Sequence, residues 1–108
     1  MKYLLLVCVD PALVGTEAID PIEPWLDLVG DRRLIGDALQ SPSTAATVRI
    51  RRSERLVADG PFAETKEVVG GFDVIECETQ AEALEIAAAH PVAKIGAVEV
   101  RAFREDVG

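Results

Sequence analysis

The segment Lys2–Val9, reading Lys-Tyr-Leu-Leu-Leu-Val-Cys-Val, constrains the fold more than any other part of the chain. Successive side chains of a strand point to opposite faces. Here both sets are apolar, with Tyr3, Leu5, Val7 and Val9 on one face and Leu4, Leu6 and Cys8 on the other. A strand of this kind is covered on both sides. At 108 residues the chain makes one domain, 1–108, with no room for a second core. Both covers must therefore come from few elements.

Two helices are legible. Asp20-Pro21-Ile22-Glu23 reads as a helix start, with Asp20 capping, Pro21 in the first helical position and Glu23 three residues after the cap. Pro24 is the alternative first helical residue. Ile22, Trp25, Leu26 and Val29 follow at helical spacing, and Gly30 is the stop. Thr79-Gln80-Ala81-Glu82 is a capping box that opens the second helix. Ala83, Ile86, Ala87 and His90 share one of its faces, and Pro91 ends it.

Between the helices lie strands. Leu34–Leu39 is weakly extended, and Ser41-Pro42-Ser43 is a turn. Ala46, Val48 and Ile50 alternate with Thr47, Arg49 and Arg51, the pattern of a half-buried strand over 45–51. A turn near Ser53 leads to Arg55–Ala58 and completes a hairpin. Val69–Cys77 is the next strand, where Gly70-Gly71 predicts a bulge or a close backbone approach. Ile95–Phe103 is the last. The order is that of an α+β fold, the ferredoxin-like split βαβ with both helices on one face of an antiparallel sheet. Two short helices cover one face only, so the second predicts a homodimer packed sheet to sheet.

Composition narrows the function classes. A net charge of −8 excludes a nucleic-acid binder, because phosphate binding needs a basic stripe. Arg49, Arg51, Arg52 and Arg55 cluster, but around a short turn, and read as a solvated hairpin tip. The apolar N-terminus stops at Asp10-Pro11 with no small-residue cleavage site, and no segment nears the ~18 apolar residues of a membrane span. The expected localisation is cytoplasmic. Cys8 and Cys77 lie in apolar runs and read as buried thiols rather than a disulfide. With one histidine there is no metal-ligand spacing, and no cofactor signature is present.

The chemistry-bearing residues are few. Asp59-Gly60-Pro61-Phe62-Ala63-Glu64-Thr65-Lys66-Glu67 places turn residues, one large apolar side chain and four ionisable groups between two strands. Asp59-Gly60-Pro61 is turn chemistry, and Phe62 reads as an anchor pinning the loop to the body. Glu64, Lys66 and Glu67 could meet a polar ligand; the bland reading is a capped turn, with Lys66 paired to a surface carboxylate. His90, the sole histidine, stands at a helix C-terminus, where the dipole favours imidazolium. It is either a general acid–base or a half-exposed helix stop held by a backbone carbonyl. Glu99 and Arg101 share the face of Ile95, Ala97 and Phe103, as an interface pair or a ligand clamp. The candidate catalytic residues are Asp59 and His90, and the candidate ligand-binding residues are Glu64, Lys66, Glu99 and Arg101.

Several runs together resemble the DGPF branch of the YciI-related (YCII) family. They are the nine residues from Asp59, then Gly70-Gly71-Phe72-Asp73-Val74-Ile75-Glu76, His90-Pro91, and Gly96 with Glu99-Val100-Arg101. Ile22-Glu23-Pro24-Trp25 and Thr47-Val48-Arg49 add to the likeness, which covers nearly the whole chain. Leu28–Leu34 departs from it, since a longer first helix is expected there. The resemblance implies a dimeric α/β barrel of ferredoxin-like halves. It implies kinship with small dimeric enzymes such as muconolactone isomerases, and a His–Asp pair in a cleft, without assigning that histidine to His90. For the DGPF branch it implies a regulatory or accessory partnership with an extracytoplasmic-function sigma factor. The function expected from the residues and the resemblance together is a small-molecule-binding or enzymatic homodimer with a site near Asp59–Glu67.

Overall fold

The computed structural model describes residues 1–13, 19–62 and 66–104. Lys2–Val9 is strand β1, over the residues of its apolar run. Glu23–Val29 is helix α1, Arg33–Ala38 is β2, Ala46–Arg51 is β3 and Glu54–Asp59 is β4. Val68–Glu76 is β5, Gln80–Ala88 is α2 and Ala97–Ala102 is β6. Four strands form one antiparallel sheet in the order β2-β5-β1-β6, and β3 pairs with β4 in a separate two-stranded sheet. This is the ferredoxin-like α+β architecture with a hairpin inserted between its second and third sheet strands. Central β1 and β5 have hydrogen-bonded neighbours on both edges.

Both helices pack on one face of the sheet. Tyr3, Leu5 and Ile75 form the core there with Trp25 and Val29 of α1 and Ala83, Ile86 and Ala87 of α2. The indole Nε1 of Trp25 donates to the carbonyl of Ile86 at 2.8 Å, tying α1 to α2. The other face carries no helix. Leu4, Leu6 and Cys8 of β1 and Phe72 and Val74 of β5 are half-buried there, and Ile35 of β2 is 59% exposed. The slab that results measures 46 × 42 × 18 Å.

Local signals set most element ends. Thr79 Oγ1 accepts from the Glu82 amide at 3.1 Å, as the capping box predicts, and Glu82 reaches back to the Glu78 amide at 3.3 Å. Gly30 ends α1 with φ +52°. Gly70 is the extra residue of a bulge, since Val7 faces Gly71 while Cys8 faces Val69.

Three expectations need correction. Asp20 does not cap α1: the helix starts at Glu23 with Pro24 in its first turn, and Asp20 pairs with Lys94 at 2.7 Å. The apolar face of β3 is not half-buried, because the hairpin stands off the main sheet and Val48 and Ile50 are each 58% exposed. Phe62 anchors nothing in the core: it is 79% exposed, and the Arg49 guanidinium lies 5.1 Å from its ring centroid. Ser53, at the hairpin tip, does take the turn expected of it, with Arg52 and Ser53 both at positive φ.

Candidate functional site

Two irregularities in the sheet aim polar side chains into an otherwise apolar layer. In β2 the pairing with β5 slips by one, so Arg33 faces Ile75 while Ile35 faces Val74 and Gly36 faces Asp73. Leu34 is the extra residue, and the slip brings Arg33 and Gly36 to the helix side of the sheet together. In β5 the same alternation that buries Ile75 also buries Asp73. A charge there needs a partner. Arg33 Nε donates to Asp73 Oδ1 at 2.7 Å.

His90 follows α2 and starts the 3₁₀ turn Pro91–Lys94. It is buried, at 6% exposure, with its ring edge-on to Trp25 at 4.7 Å between centroids. The sequence-based expectation of a charged or half-exposed histidine held by a carbonyl does not survive. Burial pushes the imidazole below its usual value, and the Asp73 carboxylate opposes this only in part. Its Nδ1 accepts from the Val92 amide at 3.1 Å, so in the neutral ring the proton sits on Nε2.

Val7, Val9, Trp25, Arg33, Asp73 and His90 line one cleft of about 450 Å³, within the range of small-molecule sites. Among the described residues Asp73 Oδ2 and His90 Nε2 have no hydrogen-bond partner, and no fully buried side-chain nitrogen or oxygen is left unpaired. Both atoms therefore open on the cleft. The arrangement sets a carboxylate acceptor and a neutral N–H donor in the same apolar space, which is what is needed to move a proton and stabilise the charge left behind.

The residues singled out from sequence are dispersed. His90 lies in the cleft. Asp59 ends β4, exposed, with its backbone opposite Ala46. The next residue, Gly60, at φ +98°, donates to the Ala45 carbonyl at 2.7 Å and accepts from Thr47 Oγ1 at 2.8 Å, so the start of the loop is stitched to the hairpin. Lys66 is 85% exposed and 3.9 Å from Asp10. Glu64 lies outside the described residues. Glu99 and Arg101 pair with each other at 2.6 Å on the helix-free face of β6. Pro61, Phe62 and Glu67 border a separate, mostly apolar trough of about 540 Å³ with Leu39, Pro42 and Val69.

Sequence reasoning missed Asp73, Arg33 and Trp25 as site residues. Asp73 carried a signal: it is an acidic residue on the core-facing parity of an apolar strand. Arg33 carried none, because its direction depends on the slip at Leu34.

A solved structure of 5-chloro-2-hydroxyhydroquinone dehydrochlorinase (TftG) from Burkholderia phenoliruptrix AC1100, in complex with 2,5-dihydroxybenzoquinone, has a similar fold. The TM-score is 0.55 with 16% identity, over 96% of this chain and 94% of the other. An uncharacterized protein of Rhizobium meliloti (strain 1021) is 53% identical over 47 residues, which are 43% of this chain and 38% of the relative. The match thus spans about two fifths of that protein's length. Neither likeness lends support to a sigma-factor partnership. The YCII-related domain matches residues 1–105, and the chain belongs to that family.

Proposed function

We propose that this protein is a homodimeric enzyme that carries out proton transfer on a small, largely apolar molecule held in the cleft of Asp73 and His90. One observation carries the reading. Two buried polar groups of opposite hydrogen-bonding sense, the free Asp73 oxygen and the His90 Nε2–H, open on the same apolar space. Asp73 takes a proton from the substrate. The electron pair released moves to a substrate oxygen, which accepts a hydrogen bond from His90. Trp25 holds the imidazole edge-on, and the Val92 amide fixes its tautomer. That the fold serves a dehydrochlorinase, TftG, supports an enzymatic role.

The dimer belongs to the same proposal. The exposed surface of 7597 Å² exceeds the roughly 5,800 Å² expected for a monomer of this mass. The Cα radius of gyration of 15.8 Å likewise exceeds the roughly 13 Å of a compact chain this long. The helix-free sheet face is the surface to be covered, closing two sheets into a barrel. The hairpin and exposed Phe62 are then assembly elements, and the resemblance of the run from Asp59 to the DGPF branch supports membership of that branch as part of the same proposal. Unpaired Cys8 and Cys77 suit the cytoplasm, and among the described residues no helix is long and apolar enough to cross a membrane.

A thermal-shift screen against a metabolite library tests the site, because binding the native state raises the melting temperature by mass action. Asp73→Asn and His90→Gln should abolish the response to any hit, while Asp59→Asn combined with Lys66→Ala should keep it. The reverse pattern would move the site to the loop.

A further inference from the structure

We infer that the cleft binds a carboxylate-bearing ligand, with the carboxylate clamped end-on by the two terminal amino groups of Arg33. The inference rests on the reading of the cleft as a ligand site and adds the chemical class. Arg33 has only its Nε committed, to Asp73 Oδ1 at 2.7 Å, and its side chain keeps 30% exposure at the cleft. The donors on Nη1 and Nη2 have no partner among the described residues. The guanidinium edge they form matches a carboxylate in bidentate geometry.

The position of that edge is built into the backbone. A Cβ on Gly36 would come within 2.0 Å of Asp73 Oδ1 and 2.7 Å of Arg33 Nη2. Only glycine lets both side chains lie flat across β2. The slip at Leu34 supplies the other half of the arrangement by turning Arg33 to the same side as Gly36. Asp73 engages the guanidinium at Nε and thereby orients the opposite edge, as well as compensating the charge when no ligand is bound.

The balance of donors and acceptors selects the ligand's charge. On the helix side of the sheet the cleft offers the open Arg33 edge and the His90 Nε2–H as side-chain donors, against one free Asp73 oxygen. Asp37 also borders the cleft, but its register opposite Phe72 puts its side chain on the other face of β2. Val7, Val9, Ile22, Trp25, Leu26 and Val92 make up the apolar part of the wall. A molecule with an apolar body and one anionic end satisfies both parts, and an uncharged isostere leaves the guanidinium edge poorly matched.

The test uses benzoate and benzamide as probes, with binding followed by the fluorescence of Trp25, the sole tryptophan. Benzoate should bind at least tenfold more tightly than benzamide. Arg33→Lys, which keeps the charge and loses the fork, should weaken benzoate at least tenfold. Gly36→Ala should do the same, by displacing side-chain ends rather than backbone, with an unchanged far-UV spectrum. Arg55→Gln on the hairpin should leave the affinity as it is. Equal affinity for benzoate and benzamide, or an Arg33→Lys variant that binds benzoate normally, overturns the carboxylate assignment while the cleft stays a ligand site. If neither probe perturbs Trp25, the reading of the cleft fails with it.

Discussion

His90 shows how a residue's role is set by its surroundings. At the end of α2 the helix dipole alone would favour imidazolium, worth some tenths of a kcal/mol to about 2 kcal/mol. Burial against Trp25 outweighs it and depresses the folded-state value below the ordinary 6.5. The unfolded chain then binds the proton first as pH falls. The stability associated with neutral His90 is therefore complete above about pH 6.5 and is lost progressively below it. The slope can reach no more than about 1.4 kcal/mol per pH unit, the limit for one proton. Urea titrations between pH 7 and 5 should show this loss, and His90→Gln should flatten it. Carboxylates such as Glu82, which its Arg32 partner holds below the usual range, act only at lower pH. Trp25 emission in the folded protein should change with a midpoint below 6.5, and a midpoint above it would contradict the burial argument.

Among the elements, α1 and α2 differ in how much of their stability is local. With seven residues α1 is too short to persist alone, and it depends on burying Trp25 and Val29 and on the indole bond to Ile86. By contrast α2 has its own start signal in Thr79 and Glu82. Thr79→Ala should cost about 1 kcal/mol in equilibrium unfolding, with the m-value unchanged. The sheet elements carry the site through their irregularities. A one-residue slip moves a side chain to the other face, and the extra residue Leu34 is what lets Arg33 and Gly36, three positions apart, share the face of Asp73.

For the whole molecule the decisive surface is the helix-free face of the sheet. Val74 sits at its centre, opposite Leu4 and Ile35, and is half-buried in one copy. Covered by a second copy it would be fully buried, where a carboxylate is expensive. Val74→Asp should therefore convert the proposed dimer to a monomer in sedimentation velocity while the far-UV spectrum is retained. A wild-type protein that sediments as a monomer at micromolar concentration rules out the sheet-to-sheet dimer. Glu99 and Arg101 already neutralise each other on this face, so the interface can form without stranding either charge.

The sequence by itself determined what depends on near neighbours along the chain. Strand β1, the Gly30 stop, the Thr79 cap, the Gly70 bulge and the split βαβ order all follow from periodicity, turn chemistry and backbone sterics over a few residues. Only the tertiary structure decided which polar residues meet. Asp73 and Arg33 stand forty positions apart and touch through the β2–β5 register. His90 joins them because α2 packs on the same face, and burial then sets its charge. The Asp59–Glu67 run is conspicuous in sequence, yet its described part borders the hairpin and the separate trough. Sequence spacing reports local geometry, whereas a site is assembled by register and packing between distant segments.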